Sequence, residues 1–181
     1  MLVHGIALLI ASSAPAQSAQ DGPIATAARA ESAEAQRIRE ALAYAAPLPA
    51  GAPREDYPLV AWCEALVTGH IMTGETLTSA DALDRDIIRL GRLEAADFKT
   101  ALAAAEPRAT AAMKRAAEAA VVDVQGKWAP ILSNPDEAAR SQVFGLFYGL
   151  PGRCEHAARR IRSGVTSPPA TLRDVGLDGE N

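Results

Sequence analysis

The chain has 181 residues, 49% of them apolar but only 4% aromatic, and it carries a formal charge of −4 at neutral pH. Non-specific nucleic-acid binding runs on basic surface that displaces counterions, and docking to an anionic membrane needs basic patches; a net acidic chain is suited to neither. Alanine supplies much of the apolar content and loses no side-chain entropy in a helix, so the composition predicts an all-α fold.

Residues 1–16 contain no Lys, Arg, Asp or Glu. The apolar run at 6–11 is followed by Ser12, Ser13, Ala14, Pro15 and Ala16, the layout of a secretory signal peptide, although only His4 and the terminal amine stand where a basic residue is usual. Cleavage is expected after Ala16, with Ala19 as the alternative. The run is far short of the roughly 20 residues that span a bilayer, and no later stretch is long enough. No stable membrane insertion is therefore expected after cleavage, and the mature protein is expected in the periplasm or outside the cell. No cysteine stands near the cut to carry a lipid.

Residues 17–22 are small and polar and read as a flexible N-terminus; the helical domain is expected over 23–164. Pro23 suits a first helical turn. From 24 to 46, Ala28, Ala35, Ile38, Leu42 and Ala45 are spaced for one helix face. Pro47, Pro49, Gly51 and Pro53 then break the chain.

A second helix is expected from Asp56, with Pro58 in its first turn and Leu59, Cys63, Leu66, Val67 and Ile71 as its core stripe. It should end around 72–74. Thr78 or Ser79 is expected to cap the third helix, with Asp81 and Asp84 near its positive end. Leu83, Ile87, Leu90, Leu93 or Glu94, Phe98 and Leu102 read as the buried stripe of that helix. Pro107 either kinks it or starts a fourth at Arg108.

The fourth helix is expected over 108–125, with Ala109, Met113, Ala116, Ala117, Ala120, Val121 and Val124 on its apolar face and Gly126 and Pro130 as stops. Ser133, Asn134, Pro135, Asp136 and Glu137 read as the next helix start, with a capping side chain before Pro135 at the first position and acids in the first turn. The helical period then continues to about Ser163 through Ala139, Val143, Phe147, Leu150, Cys154, Ala158 and Ile161, as one kinked helix or two short ones. Gly164 is a natural stop, and the Pro- and Gly-containing tail, 165–181, is expected to be disordered. The fold expected is an irregular bundle of about five helices.

Cys63 and Cys154 are the only cysteines, and each falls on the buried stripe of its helix. In an oxidising compartment such a pair reads as an interhelical disulfide. Zinc ligation fails on geometry. Cys63 and His70 stand about 10 Å apart along a helix, and Cys154 and His156 point to nearly opposite faces. No metal or cofactor is expected.

Trp62, His70 and Trp128 are candidate linings of an interhelical ligand pocket. Arg153, His156 and Arg160 share a face of the last helix and are candidates for an anion or partner surface. Glu64 and Glu155, each next to a cysteine, are the carboxylates that a hydrolase or lyase would use with His70 or His156. The motifs Gly-x-Ser-x-Gly, His-Glu-x-x-His, Gly-x-x-x-x-Gly-Lys and Cys-x-x-Cys-His are all absent. The expectation is therefore a non-enzymatic exported protein that binds a protein or envelope component through a helical surface. The alternatives are a small-molecule or ion binder, and an enzyme built on those Glu and His residues.

Overall fold

The computed structural model describes residues 32–147 and 149–178. The expected signal segment, its cleavage sites, the flexible stretch 17–22 and the first turns of the first predicted helix lie outside the described residues. Among those described, six α-helices and two short 3-10 turns are present and there is no strand.

α1 is Ala33–Ala45, capped by Ser32, whose hydroxyl accepts from the Ala35 amide at 3.1 Å. The Pro-rich connection follows, with Gly51 at φ +85°, a left-handed conformation that glycine adopts without a Cβ penalty. α2, Asp56–Glu75, is apolar on nearly every side and accordingly sits in the middle of the bundle. α3, Ala82–Ala105, runs antiparallel to it, with Arg92 pairing Glu75 and Lys99 pairing Glu64 along their shared edge.

α3 starts differently from expectation. Asp81 is its cap and forms a capping box with Asp84. Thr78 and Ser79 do not cap it; both donate instead to the Glu137 carboxylate at 2.7–2.9 Å. Those bonds hold Glu137 down to about 2 and tie the α2–α3 turn to the start of α5.

The expected α3 stripe is half wrong. Phe98 is fully buried, but Leu83, Ile87, Leu90 and Leu93 are 66%, 37%, 43% and 43% exposed. Up to the middle of the helix the buried residues are Ile88, Gly91 and Ala95, which face α2 and Phe144. The cause is coverage. α6 begins only at Gly152 and meets α3 near its C-terminal half, where Arg162 donates to the Asp97 carbonyl at 2.9 Å.

A 3-10 turn over Glu106–Arg108 absorbs Pro107, and Thr110 caps α4, Ala111–Leu132. This helix runs on through Gly126 and Pro130, the two expected stops. Packing overrides propensity here. Pro130 removes one ladder bond, but the turn before it carries Trp128, buried against α2, and Val124 lies in the same core.

Asp136, not a residue before Pro135, caps α5, Glu137–Gly145. The last region divides into two helices, with Gly149 at φ +98° in the break before α6, Gly152–Arg162. Gly164 ends α6 as expected. At φ +66° it forms a Schellman closure, with the Val165 amide donating to the Arg160 carbonyl at 2.9 Å and the Gly164 amide to Ile161 at 3.3 Å.

Cys63 and Cys154 form a disulfide, Cα to Cα 6.1 Å, between the middle of α2 and the start of α6. α1 lies antiparallel on the outside of α6. The tail differs from the expected disorder over 165–178. It returns along α1, with Pro168, Pro169 and Leu172 beside Tyr44 and a 3-10 turn at Arg173–Val175. Thr171 and Asp174 bond each other across that turn, and Arg160 reaches the Ser167 carbonyl.

Candidate functional site

Apart from Arg162, which reaches α3, the charged side chains of α6 fall into two groups, and the disulfide fixes the helix that carries them. The first group centres on Arg160, which is buried. Its Nε donates to Asp56 at 2.9 Å and its Nη1 to Glu40 at 2.8 Å, so one guanidinium joins α1, the start of α2 and α6. Burial opposes the Arg160 charge, but the hydrogen bonds and the charge of Asp56 outweigh it and raise the guanidinium further. Tyr44 completes the cluster. Its hydroxyl donates to Asp56 at 2.6 Å and its ring carries the Arg153 guanidinium 4.3 Å above the centroid. Burial first, then the bond to Asp56, pushes the Tyr44 phenol far above its ordinary range. This phenol stays protonated and serves as a fixed donor.

The second group centres on His156, expected at the surface and in fact buried. Arg159 Nη2 stands 3.0 Å from His156 Nδ1 and 3.1 Å from Glu155. A guanidinium only donates, so the ring accepts and the imidazole is neutral. Burial, then Arg159 and Arg39, lowers His156 to about 4. Arg39 also reaches Glu155, at 3.7 Å. Arg153, His156 and Arg160 therefore do not form one open cationic surface. Arg153 stacks on Tyr44, Arg160 is enclosed by carboxylates, and His156 lies beneath Arg159.

The residues expected around a ligand pocket are brought into the core. His70 is sandwiched between the Phe144 and Phe147 rings, at 4.4 and 4.3 Å, and lies 6.5 Å from the Trp128 ring. Its Nε2 is 3.0 Å from the Phe144 carbonyl, which only accepts, so Nε2 carries the proton. Burial lowers His70 below the usual imidazole range. Trp62 is buried in the same core as Trp128 but stacks on neither His70 nor Trp128. The aromatic rings thus occupy both faces of His70, where a ligand would have to enter.

The acid–base set does not converge either. Glu64 accepts from Thr68 at 2.8 Å and pairs Lys99 at 3.4 Å. Glu155 and His156 are joined through Arg159, with the charge of Arg39 also acting on both, and His70 is turned toward α5. Among the described residues, no group of three or more His, Cys, Asp or Glu side chains is arranged to hold a metal ion. Composition and spacing missed Tyr44, Glu40 and Asp56. The available signal was Arg160, three residues from Ala157 and six from Cys154 on an apolar stripe, where a cation requires buried partners.

A pH dependence follows from His156. The folded protein keeps this ring neutral down to about pH 4, whereas the unfolded chain takes up the proton near 6.5. Between those values the unfolded state holds more protons, so stability falls as pH falls. Moving from pH 7 to pH 5 should cost about 1–2 kcal/mol through this ring, and His70 acts in the same direction. Glu94, raised by burial and then by Glu155 and Asp97, acts oppositely. The test is a difference: urea midpoints at both pH values for the wild type and His156→Gln. The variant should show the shallower decline, and equal slopes would refute the assignment.

The sequence matches no protein-family model, and comparison with curated proteins and with solved structures finds no similar chain or fold.

Proposed function

We propose that this chain is an exported, non-enzymatic helical protein that binds another protein through the exposed apolar face of α3. The observation that carries the reading is the stripe Leu83, Ile87 and Leu90, flanked by Leu93. These are four large apolar side chains on one helix, all open to solvent. A contiguous apolar face of this kind marks interaction surfaces. The surrounding charges are mixed in sign, Asp84, Asp86 and Glu94 beside Arg85, Arg89 and Arg92, and the whole chain is acidic. That pattern favours a protein partner over an anionic lipid surface or a nucleic acid.

Export rests on the leader pattern and on the buried disulfide, which suits an oxidising compartment. No helix among the described residues is long and apolar enough to cross a membrane. Mass spectrometry of the native protein should find an N-terminus at Gln17 or Gln20 and no alkylatable thiol. A full-length cytosolic chain with two free thiols would overturn export.

Binding is tested with a photo-crosslinking residue at Ile87 and, as a control, at Val122 on α4. A discrete adduct is expected from Ile87 alone in the native host. Binding of the identified partner should weaken at least ten-fold in Leu90→Glu, with the thermal melt unchanged. Absence of any position-specific adduct would sink the proposal, as would an adduct consisting of two copies of this chain.

A further inference from the structure

The cleft between the N-terminal half of α1 and the C-terminal half of α6 has a volume of about 400 Å³; Gln36, Arg37 and Glu40 wall one side and His156, Arg159 and Ser163 the other. Its cations are not equally engaged. Arg160, also at the wall, is taken up by Glu40, Asp56 and the Ser167 carbonyl. Arg159 uses one amino group, Nη2, for both Glu155 and His156; its Nε is buried out of reach of the cleft, and its other amino group, Nη1, makes no hydrogen bond to the described residues. Arg37 is exposed and acts on Asp174 through space, while the Asp174 carboxylate is occupied by the Thr171 amide and hydroxyl at 2.8 Å. Two guanidiniums from different helices thus border one concave space with donor capacity left over.

We propose that this cleft binds a small oxyanion, the phosphate, sulfate or carboxylate group of a ligand, between Arg37 and Arg159. The planar fork of a guanidinium matches such groups, and two forks from two helices define a site where one would not. The site is independent of the α3 face.

His156 reports on it. Its neutral ring accepts from Arg159, so a proton there sets a cation against a cation. An anion in the cleft offsets the guanidinium field and makes protonation easier; by linkage, protonation strengthens anion binding by the same factor. The charged groups around the ring are Arg37, Arg39 and Glu40 from α1, and Glu155, Arg159 and Arg160 from α6. Behind them stand Asp56 of α2, paired to Arg160, Glu94 of α3, which acts on Glu155, and Asp174 of the tail beside Arg37. Following the imidazole's own carbon resonances separates its titration from those carboxylates.

The probe is sodium sulfate, because sulfate stays dianionic through the whole His156 titration. In the disulfide-bonded full chain, the His156 ring should titrate at least half a unit higher in sulfate than in sodium chloride of equal ionic strength. That corresponds to about three-fold tighter binding to the protonated form. His70, packed against Phe144 and remote from α1, is the internal control and should not move. In Arg37→Gln the sulfate effect should vanish while the circular dichroism spectrum is retained. Equal curves in sulfate and chloride, or a sulfate effect that survives Arg37→Gln, would overturn the site. At pH 6, glycerol phosphate and succinate distinguish the source of the oxyanion. The one that shifts α1 and α6 amides in the wild type but not in Arg37→Gln names it, and silence from both also defeats the proposal.

Discussion

The Cys63→Ala/Cys154→Ala variant is expected to unfold about 4–5 kcal/mol more easily than the oxidised wild type. The bond joins residues 91 apart in sequence, and a crosslink of that span removes a large share of the unfolded chain's freedom. Typical domains have only about 5–15 kcal/mol in total, so the loss is a major fraction of what holds the fold together. The double substitution is preferable to a single one, which would leave a reactive thiol. Secondary structure should survive, because the helices are capped locally by Ser32, Asp81, Thr110 and Asp136. The loss should be uneven. α6 is held to α2 by this bond and by the Arg160–Asp56 pair, and α1 and the tail are held largely through α6. Hydrogen exchange should therefore quicken in α1, α6 and the tail before α3 and α4. Urea melts with circular dichroism measure the size of the effect, and an unchanged midpoint would show that the bond carries no stability.

What was legible in the sequence is what short-range rules control. Alanine content and 3.6-residue periodicity identified the all-α class, and the positions of Cys63 and Cys154 on apolar stripes identified the pair that bonds. The misreadings are tertiary. Pro130 ends a helix only when nothing repays its lost hydrogen bond, and Trp128 seated on α2 does so here. The α3 stripe was read as core because periodicity cannot say where the covering helix begins. His156 and Arg160 were placed at the surface by their type, yet both are buried because α1 and the tail close over α6. The tail looked disordered because its ordering depends on Arg160 and Tyr44, residues far from it in sequence. A site assembled from α1, the start of α2 and the end of α6 leaves no local spacing to detect.

Gly69→Ala should destabilise the fold by about 2 kcal/mol, against the intrinsic preference of a helix for alanine. A methyl group at this position would lie 2.1 Å from Cδ1 of Trp128, 2.3 Å from Nε1 and 2.4 Å from Cγ. The indole has nowhere to retreat. It is buried in the core, with His70 6.5 Å and Phe147 6.4 Å away by ring centroid, and those rings are stacked on each other. Helix propensity alone would reward the change by about 1 kcal/mol, so overpacking must exceed that for the sign to reverse, and a 2.1 Å approach to a rigid ring ensures it does. Gly126→Ala provides the opposite case. It is also helical, a methyl there meets nothing within 4 Å, and it should gain up to about 1 kcal/mol. Measured together by urea denaturation, the two substitutions should move in opposite directions. A Gly69→Ala protein as stable as the wild type would mean that Trp128 is not packed against Gly69 of α2, and the packing that carries α4 through Pro130 would lose its explanation.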